Sequence, residues 1–308
     1  MSPTGKELTI IQGPNGSPLK AAIIGCGGTG CNILAEGGIA SAMTRIAIGS
    51  EPDAMRSLKV DRSILADPRK LQAAANIPGK ALRIAGSELE SEISAAIAGA
   101  DMTFILAGLG GMSGGWGSVV AARATDISRG MSLCVASVPF TVEGGSRKER
   151  AGAQLKALME CAGGILVIPN DMILAEAPNL PINRAFRVMN SVLVSPVNMF
   201  LKAIGSDDMA TVKKHLGGGK LMAMDSAEWD RENAEFAVIE HLGKSRWLDL
   251  SSRKAKAAML FVEGHALYDG LNELGKLFSR AAGEDCQVIV ASAGNRKSGL
   301  RVTAVVGF

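Results

Sequence analysis

Residues 108–117, GLGGMSGGWG, decide how this chain is read. They contain G-M-S-G-G, which fits the G-x-S-x-G elbow of a serine hydrolase and would make Ser113 a nucleophile. They also form a glycine-rich turn between an apolar strand, DMTFILAGL (residues 101–109), and a helix pattern, SVVAARATDISRG (118–130). Such a turn presents backbone N–H groups and the positive end of a helix dipole to a phosphate. A hydrolase needs in addition a histidine after Ser113. The candidates are His215, in the polar segment KKHLGGG, and His241 and His265, in element-like stretches. Each reads more simply as an ordinary surface or core histidine.

Upstream lies a second glycine loop, GCGGTGCN (25–32), after the strand LKAAIIGCGG and before the helix pattern CNILAEGGIA. It matches G-x-G-x-x-G, in which glycine lets backbone amides approach a phosphate without a Cβ clash. Glu51, at the end of the strand TRIAIGSE, stands where a dinucleotide-binding fold places its ribose-reading acid, so this loop alone favours NAD and an oxidoreductase. A nicotinamide enzyme needs only this loop. Two glycine turns leading into helices of one sheet can converge on a single polyphosphate.

The helix-like stretch 87–100 precedes the second loop, and SLCVASVPF, KERAGAQLKALMECA and GGILVIPN continue strand, helix, strand. The alternation predicts a parallel α/β sheet with its ligand at the carboxyl ends of the strands. From about Leu180 the pattern changes. INRAFRVMNSVLVSPVNMFLKAI reads as one long helix with Pro196 as a kink. A second α/β set follows, with helices at AEFAVIEHLG and LYDGLNELGKLFSRAA and strands at KAKAAMLFVEGH, CQVIVASAG and LRVTAVVGF. The expected organisation is a polar, mobile arm over 1–19, a nucleotide-binding domain over 20–182, a central helix over 183–205 and a C-terminal α/β domain over 206–308.

Composition narrows the partners. The 308 residues are 47% hydrophobic, enough for a substantial core. Net charge is +3 and aromatics are 4%, which argues against nucleic acid or an anionic membrane as the main partner. The five cysteines (Cys26, Cys31, Cys134, Cys161 and Cys286) form no C-x-x-C pair, so neither a metal site nor a disulfide framework is expected. With no signal peptide and no apolar run long enough to span a bilayer, the expected location is the cytoplasm.

Taken in order, the motifs resemble those of the tubulin/FtsZ family over nearly the whole chain, from Ala21 to Phe308. The first loop is similar to the family's G-x-G-G-G-G-G-N. GGMSGGWG stands at its G-G-G-T-G-T-G signature. VPFTVEGGSR (138–147) resembles K-P-F-x-F-E-G-x-x-R, VIPND (167–171) matches I-P-N-D, and LRVTAVVGF resembles its closing strand. From Ala100 to Ile204 the family pattern lies over the chain without a gap. The resemblance implies a Rossmann-type GTP/GDP-binding domain, a long central helix and a second α/β domain. It also implies head-to-tail polymers with nucleotide between successive subunits.

Carried over by residue, it implies that Gly27, Gly28, Thr29, Gly30 and Cys31 line the phosphates and that Asn32 faces the base. Met112, Ser113 and Gly114 would cradle the phosphates by backbone N–H within a loop completed by Gly110, Gly111 and Gly115. Glu143 and Arg147 would hold the ribose and the neighbouring phosphate. Phe186 would lie against guanine, with Asn190 and Ser191 beside it. Ser113 is then a cradle residue and not a nucleophile, with Mg2+ a candidate companion of the phosphates.

The chain also departs from the family pattern. The loop near the γ-phosphate reads AAANIP (73–78), two glycines having become alanine. Met112 and Trp116 replace glycines, and Trp116 is expected to pack inward. Ser191 stands where the family has the aspartate that accepts from guanine, so base preference is open. The loop after the central helix is shorter by about eight residues. Of its catalytic N-x-D-x-x-D, only Asp208 aligns, with Asp207 beside it; these two are either the catalytic carboxylates or caps of the next helix.

The expected function is therefore a GTP-binding, FtsZ-like cytoskeletal protein in cell division or cell shape, assembling with itself or with an ordinary FtsZ. Its hydrolysis would be weakened by the short loop. The membrane-adaptor tail of the family is not expected here, so attachment would use the globular surface or the N-terminal arm. The alternatives are an NAD-binding oxidoreductase and a nucleotide-free structural polymer.

Overall fold

The computed structural model describes residues 8–39, 43–75, 88–176, 179, 181–217, 219–231, 234–264, 268–283 and 285–308. The chain divides into two units, Lys20–Asn198 and Met1–Leu19 with Met199–Phe308. Among the described residues the first element is a three-residue strand of the latter unit, β1 (Thr9–Ile11).

The unit Lys20–Asn198 carries β2 (Ala21–Cys26), α1 (Gly27–Glu36), β3 (Thr44–Gly49), α2 (Pro52–Ser57), β4 (Arg62–Leu65), α3 (Pro68–Ala75) and α4 (Glu88–Ala96). It continues with β5 (Met102–Gly108), α5 (Met112–Ile127), β6 (Met131–Val138), α6 (Gly145–Cys161), β7 (Gly164–Pro169) and α7 (Asn170–Glu176). Its strands are all parallel, in the order β4-β3-β2-β5-β6-β7. Counted within the unit this is 3-2-1-4-5-6, the doubly wound order, and the order reverses between β2 and β5. Both glycine loops leave the sheet at that switch point.

The strands read as unbroken apolar runs because both faces are covered. Every residue of β2 is buried, as are the first six of β5. The helix α5 is buried from Gly114 through Thr125, and its small residues let it lie within the core beside Ile24, Ile48, Ile105 and Leu158. Trp116 is 4% exposed and part of this core, as expected for an inward-packed side chain.

Helix α8 (Ile182–Ala203) is continuous across Pro196, and the division between the units falls within it, after Asn198. The second unit adds α9 (Met209–Leu216), β8 (Leu221–Trp229), α10 (Ala234–Gly243), β9 (Ala257–Glu263), α11 (Tyr268–Ala282), β10 (Gln287–Ser292) and β11 (Leu300–Gly307). Its strand order is β1-β10-β9-β11-β8, with β11 antiparallel to both neighbours. The core includes Ile239, Leu260, Phe278, Val290 and Val302.

Of the expected mobile arm, residues 1–7 lie outside the described residues, and residues 8–19 are tied down. Thr9–Ile11 pair in parallel with Ile289–Ala291 of β10, and Ile11 is buried. Pro18 bridges Gly205. Backbone pairing outweighs the Gly/Pro composition that reads as a free arm. Of the loop 73–78, residues 73–75 end α3, and residues 76–78 lie outside the described residues.

Candidate functional site

The two glycine loops touch. Gly27 opens α1 with φ +65°, and a Cβ placed on it would lie 2.5 Å from the backbone nitrogen of Gly114. Only glycine tolerates both the left-handed backbone and that approach. The N-termini of α1 and α5 therefore meet over the ends of β2 and β5. Neither helix has a side-chain cap or an acidic residue in its first turn. The amides of Gly27, Gly28 and Thr29 precede the hydrogen-bonded ladder of α1. Those of Met112, Ser113 and Gly114 precede the first bond of α5, from Gly115 N–H to the Gly111 carbonyl at 3.3 Å. Two half-positive helix ends thus face one space with N–H groups that bond to no acceptor among the described residues, an anion-binding arrangement.

Helix α6 fixes the second loop. Gly110 N–H donates to Gln154 Oε1 (2.7 Å), Gln154 Nε2 donates to the Gly111 carbonyl (2.9 Å), and Arg150 donates to the Gly110 carbonyl (2.8 Å). The side-chain amide of Gln154, itself buried, spans the Gly110–Gly111 peptide and lies where a Cβ on Gly115 would fall. Gly110 and Gly115 therefore shape the loop, while the free amides belong to residues 112–114. The Ser113 hydroxyl donates to Ser50 Oγ at 2.8 Å, at the end of β3. His215 and His241 lie in the other unit, on α9 and α10, with His215 buried and its Nδ1 2.9 Å from the Thr211 carbonyl. His265 lies outside the described residues.

Two residues of the first loop expected to line the phosphates stand further into α1. Gly30 and Cys31 fall in the hydrogen-bonded part of α1, so their amides are used within the helix. Gly30 is needed for packing, because a Cβ there would run into the Leu106 carbonyl of β5. The Cys31 thiol turns inward toward the Gly25 and Ile48 carbonyls and Met55 Sδ, and burial pushes its pKa up to about 11. Burial also raises the pKa values of Cys26 and Cys134. Thr29 Oγ1 lies over Gly108, 2.5 Å from where a Cβ on that glycine would sit.

On α8, Phe186 is 42% exposed and meets the buried Phe140 edge to face, with ring centroids 5.7 Å apart. Asn190, one turn later, donates from Nδ2 to Glu36 Oε2 at 3.1 Å. Asn32 is exposed on α1, one turn before Glu36. The Ser191 hydroxyl donates to the Val188 carbonyl of its own helix at 2.7 Å. Glu143 accepts from Phe140 N–H (2.8 Å) and pairs with Arg147 (2.7 Å) on the rim. Asn170 Oδ1 is buried with no hydrogen-bond partner among the described residues.

The carboxylates after α8 separate into two kinds. Only Ile204 and Gly205 lie between α8 and the single 3-10 turn Ser206–Asp208. Asp208 is 6% exposed, and its oxygens accept from Asn15 N–H (3.0 Å), Asn15 Nδ2 (2.7 Å) and Gly205 N–H (2.8 Å). It is a buried clamp between the N-terminal segment and the turn. Asp207 is exposed, and its side chain packs over Gly16.

A profile of the Tubulin/FtsZ family, GTPase domain, matches residues 20–178. The chain belongs to that family. The cell division protein FtsZ 1 of Archaeoglobus fulgidus is 32% identical over 252 residues, covering 79% of this chain and 68% of that relative. FtsZ 1 of Methanocaldococcus jannaschii is 31% identical over 274 residues, covering 86% and 74%. Among solved structures, an empty FtsZ dimer from M. jannaschii gives a TM-score of 0.80 at 26% identity, covering 95% of this chain and 89% of that one. A GTPγS-bound CetZ2 protofilament from Haloferax volcanii gives 0.72 at 20% identity over 94% and 93%, a likeness of fold.

Tubulin/FtsZ proteins bind GTP or GDP, and the residues present fit such a group. The free amides of two helix N-termini meet at Gly27 and Gly114, and an aromatic face, an amide and a carboxylate lie at Phe186, Asn190 and Glu36. Sequence reasoning missed Ser50, Gln154, Asn170 and Glu36. For Ser50 the only signal was a small polar residue closing a strand beside the first loop. Glu36 could have been found by its i+4 spacing from Asn32 on one helix face. Among the described residues no helix is long and apolar enough to cross a membrane.

Proposed function

We propose that this chain binds a guanine nucleotide across its two glycine loops and assembles head to tail into filaments, hydrolysing GTP slowly. The observation that carries the reading is the meeting of two uncapped helix N-termini at Gly27 and Gly114. The amides of Gly27, Gly28 and Thr29 and those of Met112, Ser113 and Gly114 hold the phosphates. The Ser113 hydroxyl, which donates to Ser50 Oγ in this structure, adds a donor once it turns from Ser50 to the phosphates, and Mg2+ is a candidate companion. Glu143 and Arg147, paired in this structure, open to take the ribose and a phosphate. The nucleotide domain is taken as 20–182, with the helix 183–205 joining it to 206–308, and the cytoplasm is the expected place of work.

Slow hydrolysis follows from the turn after α8. A carboxylate positions water only if its oxygens are free and reach the nucleophile. Those of Asp208 already hold three donors, leaving Asp207 as the one candidate to reach a neighbour's nucleotide. Copolymerisation with an ordinary FtsZ would supply an intact loop from the neighbour, because a head-to-tail contact accepts a different partner at either end. The role is division or cell shape, by analogy with the cell division relatives.

The test is sedimentation and electron microscopy of the pure protein with GTP, GDP or no nucleotide, with released phosphate counted. GTP-dependent filaments with little phosphate release are expected. Filaments without nucleotide would favour the structural-polymer alternative. Hydrolysis at ordinary FtsZ rates would refute the weak-hydrolysis claim.

A further inference from the structure

We propose that Glu36 is the residue that selects guanine, replacing the aspartate missing at position 191; this rests on the guanine-nucleotide reading above. Guanine presents N1–H and the N2 amino group side by side, two donors that match the two oxygens of one carboxylate. Ser191 offers no such pair, and its single hydroxyl hydrogen is given to the Val188 carbonyl. The neighbouring side chain does bring a carboxylate to this place. Asn190, 8% exposed, donates to Glu36 Oε2 at 3.1 Å. That bond anchors the Glu36 carboxylate beside α8 while leaving Oε1 and a second lone pair of Oε2 for a ligand.

The surroundings agree. Asn32 and Glu36 are one turn apart on α1, and Phe186 and Asn190 one turn apart on α8, so each pair shares a helix face. The Asn190–Glu36 bond joins the two faces, with the Phe186 ring at one side to stack on a base. A carboxylate here favours guanine over hypoxanthine, which lacks the amino donor. It disfavours xanthine, which turns a carbonyl toward it, and adenine, whose N1 is an acceptor. Exchange of glutamate for glutamine reverses the xanthine term, because the side-chain amide then donates.

The experiment measures affinities of the full chain for GTP, ITP and XTP by calorimetry, in the native protein, Glu36→Gln and Glu36→Ala. The native protein should bind GTP most tightly and XTP least. Glu36→Gln should lose about tenfold or more for GTP, the worth of a hydrogen bond to a charged group, and gain for XTP. Glu36→Ala should bring GTP and ITP to similar affinity. Melting of Glu36→Gln should be unchanged, because its side-chain oxygen still accepts from Asn190. If the native protein prefers GTP and both variants keep that preference, Glu36 is not the selector. If the native protein binds the three equally, the inference fails while the phosphate site stands. If it binds none, the nucleotide reading itself fails, and this inference with it.

Discussion

Gly27→Ala tests the junction of the two loops. At φ +65° an alanine is strained by roughly 1–2 kcal/mol. Its methyl would lie 2.5 Å from the Gly114 nitrogen and 2.6 Å from its Cα, so backbone must give way rather than a flexible side chain. Overpacking of that kind costs roughly 1–3 kcal/mol more. The sum, about 2–5 kcal/mol, corresponds to a fall in melting temperature of roughly 4–20 °C for a domain of this size. Gly28→Ala is the matched control. Gly28 has no positive φ, is exposed, and has nothing within 4 Å of a built Cβ, so the fold should be undisturbed or slightly firmer. Its methyl would instead stand beside the free amides and crowd a bound phosphate. Calorimetric melting and GTP titration of both variants read the difference. Gly27→Ala should lose stability and binding together, and Gly28→Ala should lose binding alone. Native-like melting of Gly27→Ala would refute the claim that the loops are held in contact.

Asp208→Asn should destabilise the protein by about 1.5–3 kcal/mol, since charge-assisted acceptance from Asn15 and Gly205 is lost. Melting checks this, and phosphate release per filament should fall with Asp207→Asn rather than with Asp208→Asn. Gln154→Ala leaves Gly110 N–H and the Gly111 carbonyl without their partner, at a cost of about 1–3 kcal/mol. GTP titration should show weaker binding although Gln154 touches no ligand. Cys31, raised to about 11 from an ordinary 9.0, should resist iodoacetamide at pH 8 until the protein unfolds. The native state holds that proton more tightly than the unfolded chain. Its contribution to stability is therefore complete below pH 9 and is lost as pH rises toward 11, which denaturant titrations across that range would show.

Much of the fold was legible because apolar runs of strand length alternate with helix patterns in the Lys20–Asn198 unit. Both glycine loops announced themselves through residue type alone. What stayed hidden has local causes. β8, LMAMDSAEW, lacks the branched residues that mark strands, and forms by pairing with β11 on residues 300–307. The arm read as mobile because no local pattern shows that Asn15 meets Asp208 across 193 positions. That same contact explains why both oxygens of Asp208, which the resemblance aligns with a catalytic residue, already accept hydrogen bonds. The position of Cys31 in the motif says that it lines the phosphates but not where its thiol points. The register of α1 turns that thiol into the core.

The central claim is that amides of two helix ends grip one phosphate chain. A crystal structure with bound GDP tests it most directly. The account predicts phosphate oxygens about 3 Å from amides of both the Gly27–Thr29 and the Met112–Gly114 groups. Phosphates held by one group alone, or by neither, would contradict it.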